Sequence, residues 1–165
     1  MDFKNIIGQV EESNEFKTFI KKNPHYYLVH VFTMVDSETI GVWQIGYYSK
    51  DTDKLVVFES HDDLVYIHPE ADALKKEEYI QPLDLSKLKI SKNDANEIYD
   101  NTLKENYPNE IKSKTIVLLQ NLPEYGQVWN ITLVTLALSV INIKIDAETG
   151  KVIKHTKENM MSWRA

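Results

Sequence analysis

Four residues, Val42-Trp43-Gln44-Ile45, recur 86 positions further along the chain as Val128-Trp129-Asn130-Ile131. The same spacing, kept without a gap, aligns further apolar residues: Val31 with Val117, Leu55 with Ile141, and Val57 with Ile143. A repeat of this length is typical of two copies of one supersecondary unit. It predicts the architecture far better than it predicts the function.

Each copy has the pattern of one helix followed by four antiparallel strands. In the first copy, apolar residues at helical spacing run over residues 3–22, with a break near Ser13-Asn14, and four β-branched or aromatic segments follow. Pro69 predicts the start of a short helix over 70–77. In the second copy, Ser91 is a typical N-cap of a helix that ends before Pro108, and four more strands follow.

The predicted fold class is α+β, with two tandem units packed as a pseudo-dimer. We place unit 1 at residues 1–78, a linker at 79–87 and unit 2 at 88–165. Each unit is about 80 residues, a size at which a lone hydrophobic core is marginal. The linker has no Gly/Ser run, so we expect a fitted connection and two units packed on each other.

Composition and charge exclude several classes of function. The net charge of −6 and the single arginine, Arg164, argue against a nucleic-acid partner. The chain has no cysteine, so disulfides, thiolate metal sites and a cysteine nucleophile are excluded. The N-terminus lacks the apolar segment of a signal peptide. The most apolar run, 131–145, is shorter than the roughly 20 residues of a membrane-spanning helix. We therefore predict a cytoplasmic protein with no membrane partner.

The second unit resembles the PepSY domain family. The resemblance covers about residues 88–156 and rests on the strand Gln127-Val128-Trp129-Asn130-Ile131 and on a later hairpin. In that hairpin, the strand Ile141–Ile145 leads through the turn Asp146-Ala147-Glu148-Thr149-Gly150 to a returning strand. The first unit keeps Trp43 but has Ser60-His61-Asp62-Asp63-Leu64 where the turn would fall, so it is interpreted as a diverged copy.

The resemblance implies a cystatin-like fold, in which a helix packs on an antiparallel sheet. PepSY domains occur in propeptides of thermolysin-like metallopeptidases and in envelope proteins, where they are thought to inhibit or regulate. The family has no catalytic residues to carry over. The resemblance therefore implies a protein that is not an enzyme and needs no cofactor.

Two groups of residues could bind a metal ion. The first contains His61, Asp62, Asp63, His68 and Glu70, whose spacing matches no standard metal-binding template. The second is the turn 146–150, which is too short for an EF-hand loop. We predict no metal site in either group, and a hairpin turn for the second.

Four apolar strand residues are predicted to be structural core: Trp43, Ile45, Trp129 and Ile131. We expect the two tryptophans to pack against the helix of their own unit. Four tyrosines, Tyr26, Tyr27, Tyr47 and Tyr48, could line an aromatic ligand cup together with Trp43, or these aromatic residues could be core and cross-strand pairs. The second interpretation is the more common one for aromatic residues in strands.

The run Leu136-Ala137-Leu138-Ser139-Val140 is a local anomaly. The gapless alignment places it on the polar turn at 50–54. An apolar turn indicates either an error in the alignment or a contact with the other unit, a second copy or a partner protein. We therefore name Leu136, Ala137, Leu138 and Val140 as interface candidates.

These observations predict a non-catalytic regulatory module that binds a protein or peptide, with self-association as another form of partner. An exposed edge of an antiparallel sheet can accept a strand from a partner. A peptidase-inhibitor role is one version, which rests on the resemblance alone. The alternative is a small-molecule-binding protein that uses the concave face of the sheet.

Overall fold

The computed structural model describes residues 2–36, 42–73 and 79–160. Over these residues the protein is α+β, with three α-helices and one antiparallel sheet of nine strands. The helices are α1 (Phe3–Glu12), α2 (Asn14–Lys22) and α3 (Lys92–Asn106). The strands are β1 (Tyr27–Val35), β2 (Trp43–Ser49), β3 (Lys54–His61), β4 (Leu64–Ile67), β5 (Ala71–Asp72), β6 (Lys112–Leu122), β7 (Gly126–Thr135), β8 (Ser139–Asp146) and β9 (Val152–Asn159).

The sheet has the order β4-β3-β2-β1-β6-β7-β8-β9, and the short strand β5 also pairs with β3. Strands β1 to β4 form one meander and β6 to β9 another. The two meanders meet where β1 pairs with β6, with Val31 opposite Leu119 and Thr33 opposite Val117. The first strand of each meander is therefore central. Of the described strands, β9 forms one outer edge of the sheet, and β4, followed along β3 by the short β5, forms the other.

The helix boundaries follow the capping signals in the sequence. Ser13 separates α1 from α2 with an extended backbone, and its Oγ accepts a hydrogen bond from the Phe16 backbone N–H at 3.2 Å. The predicted break near Ser13-Asn14 is confirmed. Ser91 caps α3 in the same way by accepting from the Asp94 N–H at 3.0 Å. That helix ends at Asn106, before Pro108, as the sequence predicts.

The helices cover one face of the sheet and enclose the hydrophobic core. Ile6 and Val10 of α1 and Ala95 of α3 are buried in this core, where α1 contacts β2 and β3 and α3 contacts β8. Trp43 is 8% exposed, whereas Ile45, Trp129 and Ile131 have no exposed surface. All four residues named as core therefore lie within it.

We expected Trp129 to pack against the helix of its own unit, but it also contacts α1 in the other half of the chain. Its indole ring meets Phe3 of α1, with ring centroids 5.3 Å apart, and its Nε1–H donates to the Ile90 carbonyl at 3.0 Å. Lys4 of α1 also donates to the Leu88 carbonyl at 3.1 Å. The N-terminal helix therefore packs on both meanders, because a sheet that is continuous through β1 and β6 offers it one uninterrupted apolar surface.

The gapless alignment is wrong by one residue beyond the turn that follows β2. Four residues, 50–53, separate β2 from β3, but only three, 136–138, separate β7 from β8. The buried residues Val56 and Phe58 of β3 therefore correspond to Ile141 and Ile143 of β8. A shift of one residue moves every side chain of a strand to the other face, so the alignment with Leu55 and Val57 cannot hold.

The short helix predicted over 70–77 is also wrong in its described part. Ala71 and Asp72 form β5, opposite Leu55 and Lys54 of β3. Hydrogen bonds to the free side of β3 satisfy the backbone there, and Lys54 forms an ion pair with Asp72. Residues 74–78 of the predicted helix lie outside the described residues. Of the three described helices, none is long and apolar enough to cross a membrane.

Candidate functional site

The two outer strands of the sheet differ in their chemistry. On β9 the exposed side chains include Lys154, His155 and Lys157, and charged residues on an outer strand discourage pairing with another chain. His155 contacts the Tyr107 hydroxyl at 2.8 Å, and Lys157 pairs with Glu110. β4 carries no charged residue along its length, Leu64-Val65-Tyr66-Ile67.

The side chains of β4 are unusually exposed for apolar residues. Leu64 is 57% exposed, Tyr66 52% and Ile67 44%. Val65 and Ile67 lie opposite Ser60 and Phe58, which are buried on the helix face of the sheet. Because strand side chains alternate, Val65 and Ile67 lie on the helix side, and Leu64 and Tyr66 lie on the other face.

The hydrogen-bond register of the hairpin determines which backbone groups of β4 face outward. The two-residue turn Asp62-Asp63 has φ angles of 48° and 65°, as a type I′ turn requires. Such a turn closes with a hydrogen-bonded pair, here His61 and Leu64. The pairs then alternate, and the His68 N–H bond to the Val57 carbonyl at 2.9 Å continues the same register. The N–H and C=O groups of Val65 and Ile67 therefore point away from β3.

A groove runs between β4 and the α1–α2 corner. It consists of two adjoining cavities, of about 670 Å³ and about 460 Å³, which share Glu15 and Ile67 in their walls. The first reaches Asp63 and Glu12, and the second reaches Phe19 and Lys22. We call this feature, bounded by Glu12, Glu15, Phe19, Lys22, Asp63 and Ile67, the edge groove.

The edge groove has an acidic end and an apolar end. Glu12 and Asp63 lie near the start of β4, with Glu15 between the two cavities. The Gln9 amide donates to Asp63 Oδ1 at 3.4 Å, and Ser60 donates to Gln9 at 3.3 Å. These two bonds tie the turn before β4 to α1, so the acidic end is held by the fold.

The candidate metal ligands on and after the β3–β4 hairpin do not converge on one point. His61 lies 3.4 Å from Asp62, and His68 lies 3.0 Å from Glu59 on the neighbouring strand. Glu70 instead accepts a hydrogen bond from the Tyr26 hydroxyl at 3.2 Å. In the described ranges, no three residues of the types His, Cys, Asp and Glu are grouped closely enough to hold a metal ion.

The turn between β8 and β9 uses its aspartate for its own backbone. Asp146 Oδ1 accepts from the N–H groups of Glu148 at 2.8 Å and Thr149 at 2.9 Å. Gly150 has a φ of 80°, which an L residue rarely adopts. A Cβ at Gly150 would also come within 3.2 Å of Ile90. This is the hairpin turn that the sequence predicts.

Three of the four interface candidates, Leu136, Ala137 and Leu138, form an exposed apolar turn between β7 and β8, and Val140 lies just beyond it in β8. Leu136 is 63% exposed and Leu138 53%, Ala137 is exposed, and Val140 is half-buried. The Leu136 N–H donates to the carbonyl of Ile111, which is itself 64% exposed. Leu138 has a φ of 60°, in the left-handed region. The turn is therefore an exposed apolar patch on a strained backbone.

The tyrosines of the first meander are mostly packed side chains. Tyr47 is buried between Phe16 and Phe58, and its hydroxyl donates to Glu11 at 3.0 Å. Burial raises the pKa of Tyr47 far above its ordinary value, and the Glu11 charge raises it further. Tyr48 is also buried and bonds to Asp53. These two side chains do not line an open cup.

The face of the sheet away from the helices contains a half-buried histidine on β1, at a position where the strand pattern alone predicts a surface or hydrogen-bonded side chain. His30 of β1 lies across Gly46 of β2, where a Cβ would fall 2.1 Å from the imidazole ring. Burial lowers the pKa of His30 from 6.5 to about 4. The glycine therefore makes room for a ring that is neutral at physiological pH.

Comparisons with known proteins give the fold and no more. No protein-family model matches the chain, and no curated protein matches its sequence. The structure is similar to the crystal structure of a putative lipoprotein from Clostridium difficile 630, with a TM-score of 0.56 and 18% sequence identity. The similarity covers 88% of this chain and 91% of that one. At this identity it shows a shared fold alone.

Sequence reasoning considered residues 61–70 as metal ligands and overlooked β4 as an edge. The available signal was the contrast between Leu64-Val65-Tyr66-Ile67 and the charged final strand. Both are last strands of a meander, and the contrast becomes informative only when both are known to be outer strands.

Proposed function

We propose that this protein is a non-catalytic binding module that captures an extended segment of a protein partner by adding it as a strand to β4. The observation that carries the proposal is the outward-facing backbone of Val65 and Ile67 on an apolar strand beside a groove. Strand addition is a recurring mode of peptide recognition, in which the backbone supplies affinity and side-chain pockets supply specificity.

The contrast between the two outer strands supports this role. An apolar outer strand exposed to solvent favours unwanted association, and natural sheets usually protect such edges with charge. β9 has that protection, whereas β4 exposes three large apolar side chains, Leu64, Tyr66 and Ile67. A binding role for β4 accounts for this difference between the strands.

The proposal includes a duplicated architecture. The strand order is symmetric about the β1–β6 pair, and Val31–Ile45 in the first meander matches Val117–Ile131 in the second. Both features support two tandem units with the boundaries given above. Membership of the PepSY family and a cystatin-like inhibitor role stay predictions, as does the absence of catalysis.

The cytoplasmic location also stays a prediction. Fractionation of host cells, with an antibody to the protein, tests it directly. Recovery in the cytosolic fraction would agree with the prediction, and recovery with the cell envelope would contradict it.

Selection of binding peptides from a random displayed library tests strand addition. NMR chemical-shift changes on binding should centre on β4 and α2. Val65→Pro removes one outward N–H and keeps an outer-strand position that proline tolerates, so it should weaken binding at least about tenfold while the fold persists by circular dichroism. Val65→Thr keeps the outward N–H and the branched side chain at the same position, so it is the matched control and should bind normally.

Two results would contradict the proposal. Shift changes centred away from β4 would place the site elsewhere, and unchanged affinity of a folded Val65→Pro variant would show that the outward backbone of β4 takes no part.

A further inference from the structure

We infer that the edge groove selects extended segments with a lysine or arginine over its acidic end and an apolar side chain over Ile67, two residues apart on the same face. This inference rests on the proposed function, and it adds the chemical class of the partner. Its evidence is the arrangement of charge and apolar surface along β4.

The spacing of the two preferred side chains follows from strand geometry. In a strand paired with β4, alternate side chains point to the helix side, about 7 Å apart. Val65 and Ile67 have the same spacing on β4. One partner side chain therefore reaches the cavity that Ile67 shares with Phe19, and the next on that face reaches the cavity of Glu12 and Asp63.

The charge of the groove favours a cation at the second position. Among the described residues, three carboxylates, Glu12, Glu15 and Asp63, line the two cavities together with one lysine, Lys22. Lys22 lies in the wall of the second cavity, so the described part of the acidic end has no lysine in its wall. Complementary charge across an interface contributes specificity and a faster association rate.

The other end of the groove favours an apolar side chain. Ile67 is 44% exposed, and Phe19 behind it is held by edge-to-face contacts with Tyr26 and Phe58, at 4.9 Å and 5.7 Å. This wall is preorganised, because Phe19 is already packed on the core. A partner side chain that covers Ile67 removes apolar surface from water, which favours binding.

A second copy of the chain fits the groove less well than a basic segment. Pairing β4 with β4 of another copy would bring six carboxylates and two lysines of the groove walls together, twice the content of one groove. The net charge of the whole chain is −6, so association of two copies adds like charge. A cationic segment neutralises the groove instead.

The test uses synthetic peptides that share one sequence of alternating apolar and polar residues with a fixed leucine. They differ at a single position, two residues from that leucine, which is Lys, Gln or Glu. Fluorescence anisotropy gives Kd for the full chain at low and high salt. We expect the Lys peptide to bind about tenfold more tightly than the Glu peptide, with the difference reduced at high salt. Glu15→Lys leaves two carboxylates and two lysines in the groove walls, so it should remove most of the preference. Glu105→Lys, an equal charge change on exposed α3 surface, should keep it.

The outcomes separate the inference from the proposed function. Peptides that bind at β4 with equal affinity for Lys and Glu would overturn the inference and leave strand capture intact. Absence of any peptide binding at β4 would overturn the proposed function. A mass that doubles with concentration, and no longer does so in Val65→Pro, would make a second copy the occupant and overturn the basic-segment inference.

Discussion

The edge of the Phe3 ring meets the indole of Trp129 at an interplanar angle of 81°, although 126 positions separate the two residues in the chain. Phe3 is 2% exposed and Trp129 is fully buried. Through this contact the first helix of the chain is packed on the strand that carries the second copy of the repeated motif. The two meanders therefore share part of one core.

Trp129→Ala should lower the free energy of unfolding by about 3–5 kcal/mol, because it removes a large buried ring and one hydrogen bond to Ile90. Urea melts followed by circular dichroism measure the change. With Phe3→Ala in a double-mutant cycle, the coupling should be about 0.5–1.5 kcal/mol. A loss below about 1 kcal/mol for Trp129→Ala would mean that the position is not core.

Gly46→Ala should destabilise the fold by about 1–3 kcal/mol, because the new Cβ would fall 2.1 Å from the His30 ring. Combining it with His30→Ala removes the clash, so the double variant should lose less stability than the sum of the two single variants. Chemical denaturation of all four proteins measures the coupling. Additive losses would show that the imidazole moves aside without cost.

Acid should destabilise the protein through His30. Its pKa is about 4 in the folded state and about 6.5 in the unfolded state, so between these values the unfolded chain binds the additional proton. The stability that the neutral His30 ring contributes is therefore complete above pH 6.5 and declines as the pH falls toward 4. Between pH 7.5 and pH 5 it should amount to about 1–2 kcal/mol.

The variant His30→Gln isolates this contribution from those of the other titrating groups. Its stability should fall less steeply over the same pH interval in urea melts. Parallel pH profiles for the two proteins would contradict the burial of a neutral imidazole at this site.

Leu136→Asp combined with Leu138→Asp should change the oligomeric state or the capture of a partner, if the exposed turn is an interface. It should not lower stability, because both side chains are more than half exposed and aspartate tolerates the positive φ of Leu138 better than leucine does. Light scattering and partner capture measure the effect, with Glu105→Lys on the exposed surface of α3 as control. Unchanged mass together with intact capture would count against an interface.

Much of the fold could be predicted from short-range signals. Ser13 and Ser91 cap their helices as the sequence indicates, and the spacing of Trp43, Ile45, Trp129 and Ile131 placed them correctly in strands that bury one face. Turn residues such as Gly150 marked the strand ends. Each of these signals acts within a few residues, so it can be identified without the rest of the chain.

The exposed apolar turn could be found from the sequence, whereas the edge groove could not. Leu136 and Leu138 stand out because apolar residues are unusual in a turn, which is a local observation, and their role as an interface stays a prediction. The edge groove was missed because Glu15 and Ile67 lie 52 positions apart and meet only where α2 lies beside β4. Likewise, the one-residue difference between the turns at 50–53 and 136–138 displaced the alignment of two strands.

The sequence by itself determined most elements of this protein: which segments are helices or strands, where they end, and which side chains face the core. The exceptions are β5, where a helix was predicted, and β3, where the alignment chose the wrong face. Those properties follow from backbone preferences, capping and periodicity, all of which act over neighbouring residues. Only the tertiary structure decided that β1 pairs with β6, that α1 packs on both meanders, and that β4 is left as an apolar outer strand. Strand pairing joins distant segments through backbone hydrogen bonds that any residue except proline can donate. The sequence of a strand therefore does not specify which strand it pairs with.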